Sequence, residues 1–182
     1  TKQLLFFDWS GVTLDNTNNT ATKTVDFLGV KYTAKITGYT STAAYSLDAS
    51  DINTWAGGPS HMVWKYYDVN GTTFKEAFYM STPYTGGRNI NFDMTITADL
   101  NGLSLPVNSV VFDAEAGTTG ETVAFTSNTG PFNKLEKTGS GSIGSTTISG
   151  DGTNTVNYLD TYLSDVNGFF VTTRNNTKIS TN

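Results

Sequence analysis

Twelve short runs rich in β-branched and aromatic residues, each broken off by Gly, Asn or another turn former, leave this chain almost no room for helix. Few windows of eleven or more residues place apolar side chains at i, i+3, i+4 and i+7 without an interruption. The runs are 2–9, 24–27, 30–37, 62–67, 73–80, 90–98, 109–112, 122–127, 133–136, 145–149, 155–158 and 168–173. Many short strands at this spacing predict an all-β protein, an antiparallel β-sandwich or jelly roll. With 182 residues the chain is the size of one such domain, so 1–182 reads as a single unit.

The spacing Asp-x-Asn-Gly recurs at Asp68–Gly71, Asp99–Gly102 and Asp165–Gly168. Calcium loops use similar letters, but an EF-hand-type loop needs further carboxylates at alternating positions and a bidentate Glu. Asn-Gly is instead the strongest signal for a two-residue type I′ hairpin, whose central residues both need φ > 0. All three are therefore expected to be turns.

Charge removes two partner classes. The formal net charge is −5, and Arg88 and Arg174 are the only arginines, so the basic footprint of a nucleic-acid binder or of a protein drawn to anionic membranes is missing. No apolar run reaches the roughly 20 residues needed to span a bilayer, so membrane insertion is not expected. The absence of cysteine excludes disulfides, thiolate metal sites and cysteine nucleophiles. Aromatic residues at 13% separate the chain from disordered sequences, and its 32 threonines and 17 asparagines resemble secreted or cell-surface β-proteins. Thr1 lacks the basic and apolar regions of a signal peptide, so the sequence reads as an internal fragment of a longer protein.

Two stretches break the strand rhythm. Residues 139–152 are rich in Gly and Ser and read as a short strand between flexible turns. Residues 39–61 show no period-2 pattern and hold Asp48, Asp51, Asn53, Trp55 and the only histidine, His61. Trp55, His61 and Trp64, with Tyr66, Tyr67 and Asp68, form the densest aromatic and polar cluster, and the loop of Asp48, Asp51, Asn53 and Trp55 supplies both kinds of group a sugar site uses: an aromatic face against the C–H side of a pyranose, carboxylates and amides on its hydroxyls. Trp55, followed by Ala-Gly-Gly-Pro, is the candidate for exposure, whereas Trp9 and Trp64 lie in apolar runs and read as core.

Asp113, Glu115 and Glu121 are the one sharply spaced carboxylate group. In a strand Asp113 and Glu115 share a face. They are read first as acceptors for backbone N–H groups in the following turn, second as a calcium site, and third, through Glu115 and Glu121, as the carboxylate pair of a glycoside hydrolase. One histidine and no G-x-S-x-G elbow argue against serine hydrolase chemistry. An intramolecular isopeptide bond from Lys31 or Lys35 to Asn175 or Asn176 has the required chain order, but exposed strand ends give the same pattern.

The segment VVFDAEAGTTGETVAFTSNTGPFNKLE, Val110–Glu136, follows FFDWSG, GVKYTAKIT and DINTW and precedes GTNTVNYL and FFVTTRNNTKIS. This order of blocks resembles the lectin-like non-repetitive domain of CshA-type fibrillar surface adhesins. The resemblance implies a lectin-like sandwich on a cell-wall-anchored bacterial fibril, outside the cell, that engages a host matrix glycoprotein such as fibronectin, or a glycan on a neighbouring cell. It carries no set of binding residues onto this chain. The expectation is therefore a non-enzymatic adhesion module without a cofactor, calcium excepted, that binds through Asp48, Asp51, Asn53, Trp55, His61, Tyr67 and Asp68. The rivals are a carbohydrate-binding module of a secreted enzyme, the hydrolase, and a plain spacer.

Overall fold

The computed structural model describes residues 7–41, 47–50, 77–80, 89–111, 122–137, 146–160, 169–173 and 178–181. Every regular element among them is a strand, and every strand pairing is antiparallel. The expected all-β, antiparallel class is what the described residues show.

The largest sheet has eight strands. Its first half is β1 (Ala21–Phe27), β2 (Val30–Ser41) and β5 (Ile90–Leu100), with β6 (Leu103–Leu105) paired to the far end of β5. Its second half is β8 (Thr122–Ser127), β11 (Thr155–Asp160) and β10 (Thr146–Ser149). Between them lies β13 (Ile179–Thr181), which pairs with β5 on one side and β8 on the other. A second sheet holds β7 (Ser109–Val111), β12 (Phe169–Thr173) and β9 (Asn133–Lys137) in the order β7-β12-β9, and a third pairs β3 (Leu47–Ser50) with β4 (Ala77–Met80).

Period-2 alternation decides the faces of the large sheet. On one face the register aligns Ala21, Ile36 and Met94, and one rung further Lys23, Ala34 and Ile96. Over these rungs runs the irregular segment 7–14. Its Trp9 packs with Ala34, and its Leu14 with Ala21, Ile36 and Tyr39. Trp9 is thus the core plug its sequence context implies, although the strand expected over 2–9 is irregular in its described part, 7–9. Asp8 holds that segment by accepting from the Ser10 amide and hydroxyl, at 3.0 and 2.6 Å.

A third cluster joins Val111 of β7 to Val156 and Tyr158 of β11, with the wholly buried Phe132 and partly buried Met94, Val123 and Phe125. Met94 borders all three clusters.

The opposite face of the large sheet is hydroxyl-rich, which is where many of the threonines go. Thr24 and Thr33 share a hydrogen bond of 2.9 Å, Thr126 and Thr155 one of 3.1 Å, and the Thr97 hydroxyl donates to the Thr33 carbonyl at 3.4 Å. Cross-strand Thr pairs of this kind favour the register by a few tenths of a kcal/mol to about 1 kcal/mol each. Lys178 and Asp93, 2.8 Å apart, add a solvent-exposed ion pair.

Three expectations change. Residues 39–41 continue β2 and 47–50 form β3, so the stretch 39–61 is not loop throughout. Asp48 lies on a strand, opposite Tyr79. Finally, the turn after β10 is tightly tied. Phe132 donates its amide to Thr153 at 2.7 Å, Gly152 donates to Phe132 at 2.8 Å, and the Asp151 carboxylate accepts from the Lys134 amide at 2.7 Å.

Candidate functional site

The register fixes where each connection leaves the large sheet. Ser41, the last residue of β2, stands opposite Ile90, the first of β5. Thr181 of β13 faces Phe92 on one side and Phe125 on the other, which puts those two residues on one level. The start of β8 at Thr122 therefore lies toward the same end as Ile90. Thr122 pairs with Leu159, and Asp160 with Thr146, so the end of β11 and the start of β10 lie there as well. The small sheet repeats the arrangement, with Phe169 opposite Lys137 and Val111 opposite Val171.

All the longer connections thus attach at the same strand ends: 42–89 between β2 and β5, 112–121 before β8, 138–145 before β10 and 161–168 after β11. The opposite end of the large sheet has short turns. It carries Leu28–Gly29 between β1 and β2, and Asn101–Gly102 between β5 and β6.

Of the residues singled out in sequence, Asp48 has a described backbone position, on β3. Asp51, Asn53, Trp55, His61, Tyr67 and Asp68 belong by sequence to the connection from β3 to β4, and Asp113, Glu115 and Glu121 to the segment between β7 and β8; they lie outside the described residues. So do Trp64, Asn175, Asn176 and the segments Asp68–Gly71 and Asp165–Gly168, where turns are expected. Lys31 and Lys35 are exposed on the hydroxyl-rich face, whereas an isopeptide bond needs its amine enclosed beside an acid.

The third Asp-x-Asn-Gly sequence is described and is a hairpin turn, as expected. Asn101 and Gly102 have φ of 53° and 87°, both in the left-handed region. The Asp serves the same turn, its carboxylate accepting from the Gly102 amide at 3.0 Å. The neighbouring hairpin repeats the clasp from Asp26 to the Gly29 amide, also 3.0 Å, with Leu28 and Gly29 at φ 54° and 82°. Sequence reasoning breaks the strand here, between the runs 24–27 and 30–37, but gives the turn no type, because Phe-Leu-Gly lacks the Asn that marks a type I′ hairpin.

A further carboxylate clasp closes the turn between Asp15 and Thr20. The Asn18 side-chain amide and the Thr17 and Asn18 backbone amides all donate to Asp15, which holds its carboxyl below the ordinary value. Among the described residues, carboxylates accept backbone amides at turns, and no group of three acidic or histidine side chains comes together to hold a metal ion. No described helix is long and apolar enough to cross a membrane.

Comparison with known proteins gives one family. The family model of surface adhesin CshA non-repetitive domain 2 matches residues 2–182, nearly the whole chain. No curated protein and no solved structure matches it. A match of that extent, on an all-β antiparallel chain, shows that the protein belongs to the CshA non-repetitive domain 2 family, a domain of extracellular, cell-surface adhesins.

Proposed function

We propose that the chain is a non-enzymatic adhesion module, a lectin-like β-sandwich that grips a host matrix glycoprotein or a cell-surface glycan through the connections at one end of its sheets. The family match over 2–182 carries this reading. The strand register supports the place, since the 42–89 connection, with Asp48, Asp51, Asn53, Trp55, His61, Tyr67 and Asp68, attaches at the same end as the 112–121 connection. Rigid strands supporting variable connections are the usual platform for recognition. A wall-anchored bacterial fibril would carry such a module. Asp113 and Glu115, in the neighbouring connection, are the residues on which calcium would act if it tunes that end of the domain.

The test is binding of the purified chain to an array of glycans and matrix proteins, fibronectin among them, with calcium and again with chelator. Saturable binding that falls at least tenfold in a Trp55→Ala, Asp51→Ala double variant is expected. Unchanged binding by that variant would remove the site, and loss with chelator would add Asp113 and Glu115 to it. Turnover of a glycan that disappears in Glu115→Gln and Glu121→Gln would replace adhesion with hydrolysis.

A further inference from the structure

Asn101 and Gly102 are the two central residues of the β5–β6 hairpin, and they are also a reactive pair. Asparagine is chemically labile, most of all before glycine, where no Cβ hinders the approach of the next backbone nitrogen. That nitrogen gives up its proton and attacks the asparagine side-chain carbonyl carbon. The new C–N bond closes a five-membered succinimide, and the side-chain nitrogen leaves as ammonia, taking a proton with it. Water then opens the ring at one carbonyl or the other, which gives aspartate or isoaspartate.

At this hairpin the reactants are open to solvent. Asn101 and Gly102 are both exposed, and a Cβ built on Gly102 would meet none of the described residues beyond its chain neighbours within 4 Å. One hydrogen bond opposes the reaction. The Asp99 carboxylate accepts from the Gly102 amide at 3.0 Å, and the proton it holds is the one that must leave before the nitrogen can attack. A carboxylate stabilises the N–H it accepts from and repels the amide anion that would replace it.

The neighbouring hairpin separates this effect from ordinary turn formation. There Asp26 accepts from the Gly29 amide at the same 3.0 Å, and Leu28 has φ 54° where Asn101 has 53°. The same turn thus forms around a residue that has no side-chain carbonyl to attack. The carboxylate shapes both turns and has a reaction to restrain only at Asn101.

The consequence of the reaction falls on β6. Its three residues pair with Ala98–Leu100 through a connection of two residues, on the side of β5 away from β2. Isoaspartate routes the main chain through its own side chain and lengthens the connection by one carbon, which a two-residue turn has no slack to absorb. Without β6, β5 shows an unpaired edge over 98–100.

We infer that Asn101 is a site of spontaneous deamidation restrained by the Asp99 carboxylate, and that isoaspartate at 101 frees β6 from β5. The inference stands apart from the proposed ligand site, so either can fail alone.

The purified chain is held at neutral pH and body temperature and sampled over weeks by peptide mapping, which separates Asn101 from Asn70 and Asn167, the other asparagines that precede glycine. A synthetic peptide of residues 97–105 is the unfolded reference. Asn101 should deamidate at least tenfold more slowly in the chain than in the peptide. Asp99→Asn can still accept from Gly102 through a neutral oxygen; it should keep the cross-strand NMR contacts of β5 and β6 yet react at least fivefold faster than wild type. The isoaspartate fraction, isolated by chromatography, should lose those contacts, while an Asn101→Gly chain aged beside it keeps them. Equal rates in chain and peptide, or no acceleration in Asp99→Asn, would overturn the restraint. So would acceleration accompanied by loss of the cross-strand contacts, which would assign the protection to turn geometry. Contacts that persist in the isoaspartate fraction would overturn the release of β6.

Discussion

A Cβ placed on Gly150 would stand 1.9 Å from the Thr155 carbonyl oxygen. The same glycine has φ +96°, and its carbonyl accepts from the Thr153 amide at 2.9 Å and the Thr153 hydroxyl at 2.8 Å. The turn between β10 and β11 thus closes only because residue 150 has no side chain.

Gly150→Ala should therefore destabilise the domain by about 3 kcal/mol or more, since backbone on both sides must move. Gly152→Ala is the control. It has φ +77° but open space around its Cβ, so only the left-handed penalty of roughly 1–2 kcal/mol applies. Urea unfolding of the two variants separates crowding from conformational cost. Equal losses would mean that the turn relaxes around the added methyl group.

Met94 borders the three apolar clusters, and a truncation there is felt in all of them. Met94→Ala should cost about 2–5 kcal/mol, with Met94→Leu below about 1.5 kcal/mol. If chemical denaturation of Met94→Ala instead gave two transitions, the clusters would be acting as separate cooperative units.

Ser109 is buried at 5% exposure, and its hydroxyl has no hydrogen-bond partner among the described residues. Removing an unpaired buried hydroxyl relieves its desolvation cost, so Ser109→Ala should be neutral or stabilising by about 1 kcal/mol. A loss of more than about 1 kcal/mol in thermal unfolding would show that the hydroxyl is engaged in solution.

Tyr39 is buried beside Leu14, Ala21 and Ile36, and desolvation pushes its phenol above the ordinary 10.0, against a smaller opposing hydrogen bond with Ser41. A group whose folded value is raised contributes its full stability below the unfolded value and loses it as pH rises through the folded one. Stability should therefore fall above pH 10 through Tyr39, and a Tyr39→Phe variant should flatten that part of the profile. An identical alkaline slope in wild type and variant would assign the loss to other tyrosines.

The sequence is most legible where local chemistry decides. The run 122–127 coincides with β8, and the runs 30–37 and 90–98 differ from β2 and β5 only at their far ends, where pairing rather than propensity sets the limit. β6 and β13 are illegible for a related reason. Each has only three residues, and Leu103–Leu105 and Ile179–Thr181 are strands because β5 and β8 offer them hydrogen bonds. Leu47–Ser50 reads as loop because Asp and Ala are poor strand formers, and its pairing with 77–80 overrides that preference.

The site is less legible than the fold. Trp, His and Asp in one irregular stretch signal binding chemistry, but composition does not say at which end of a sheet that stretch leaves; the pairing of Ser41 with Ile90 does. The hairpin at Leu28 is legible only as the break between the runs 24–27 and 30–37, and the positive φ of Leu28 gives the turn its type.

The place of β13 sets the order in which the molecule can be completed on the ribosome. The strands β1 to β6 can pair among themselves as they emerge, and so can β8, β10 and β11, yet among the described residues β5 and β8 are bridged only by 179–181. Until those residues are released, two part-sheets wait with facing edges unpaired, a state open to wrong pairings. The bridge spans some 85 residues back to β5, a separation that slows folding, so the domain should reach its native state only once residues 179–181 have emerged.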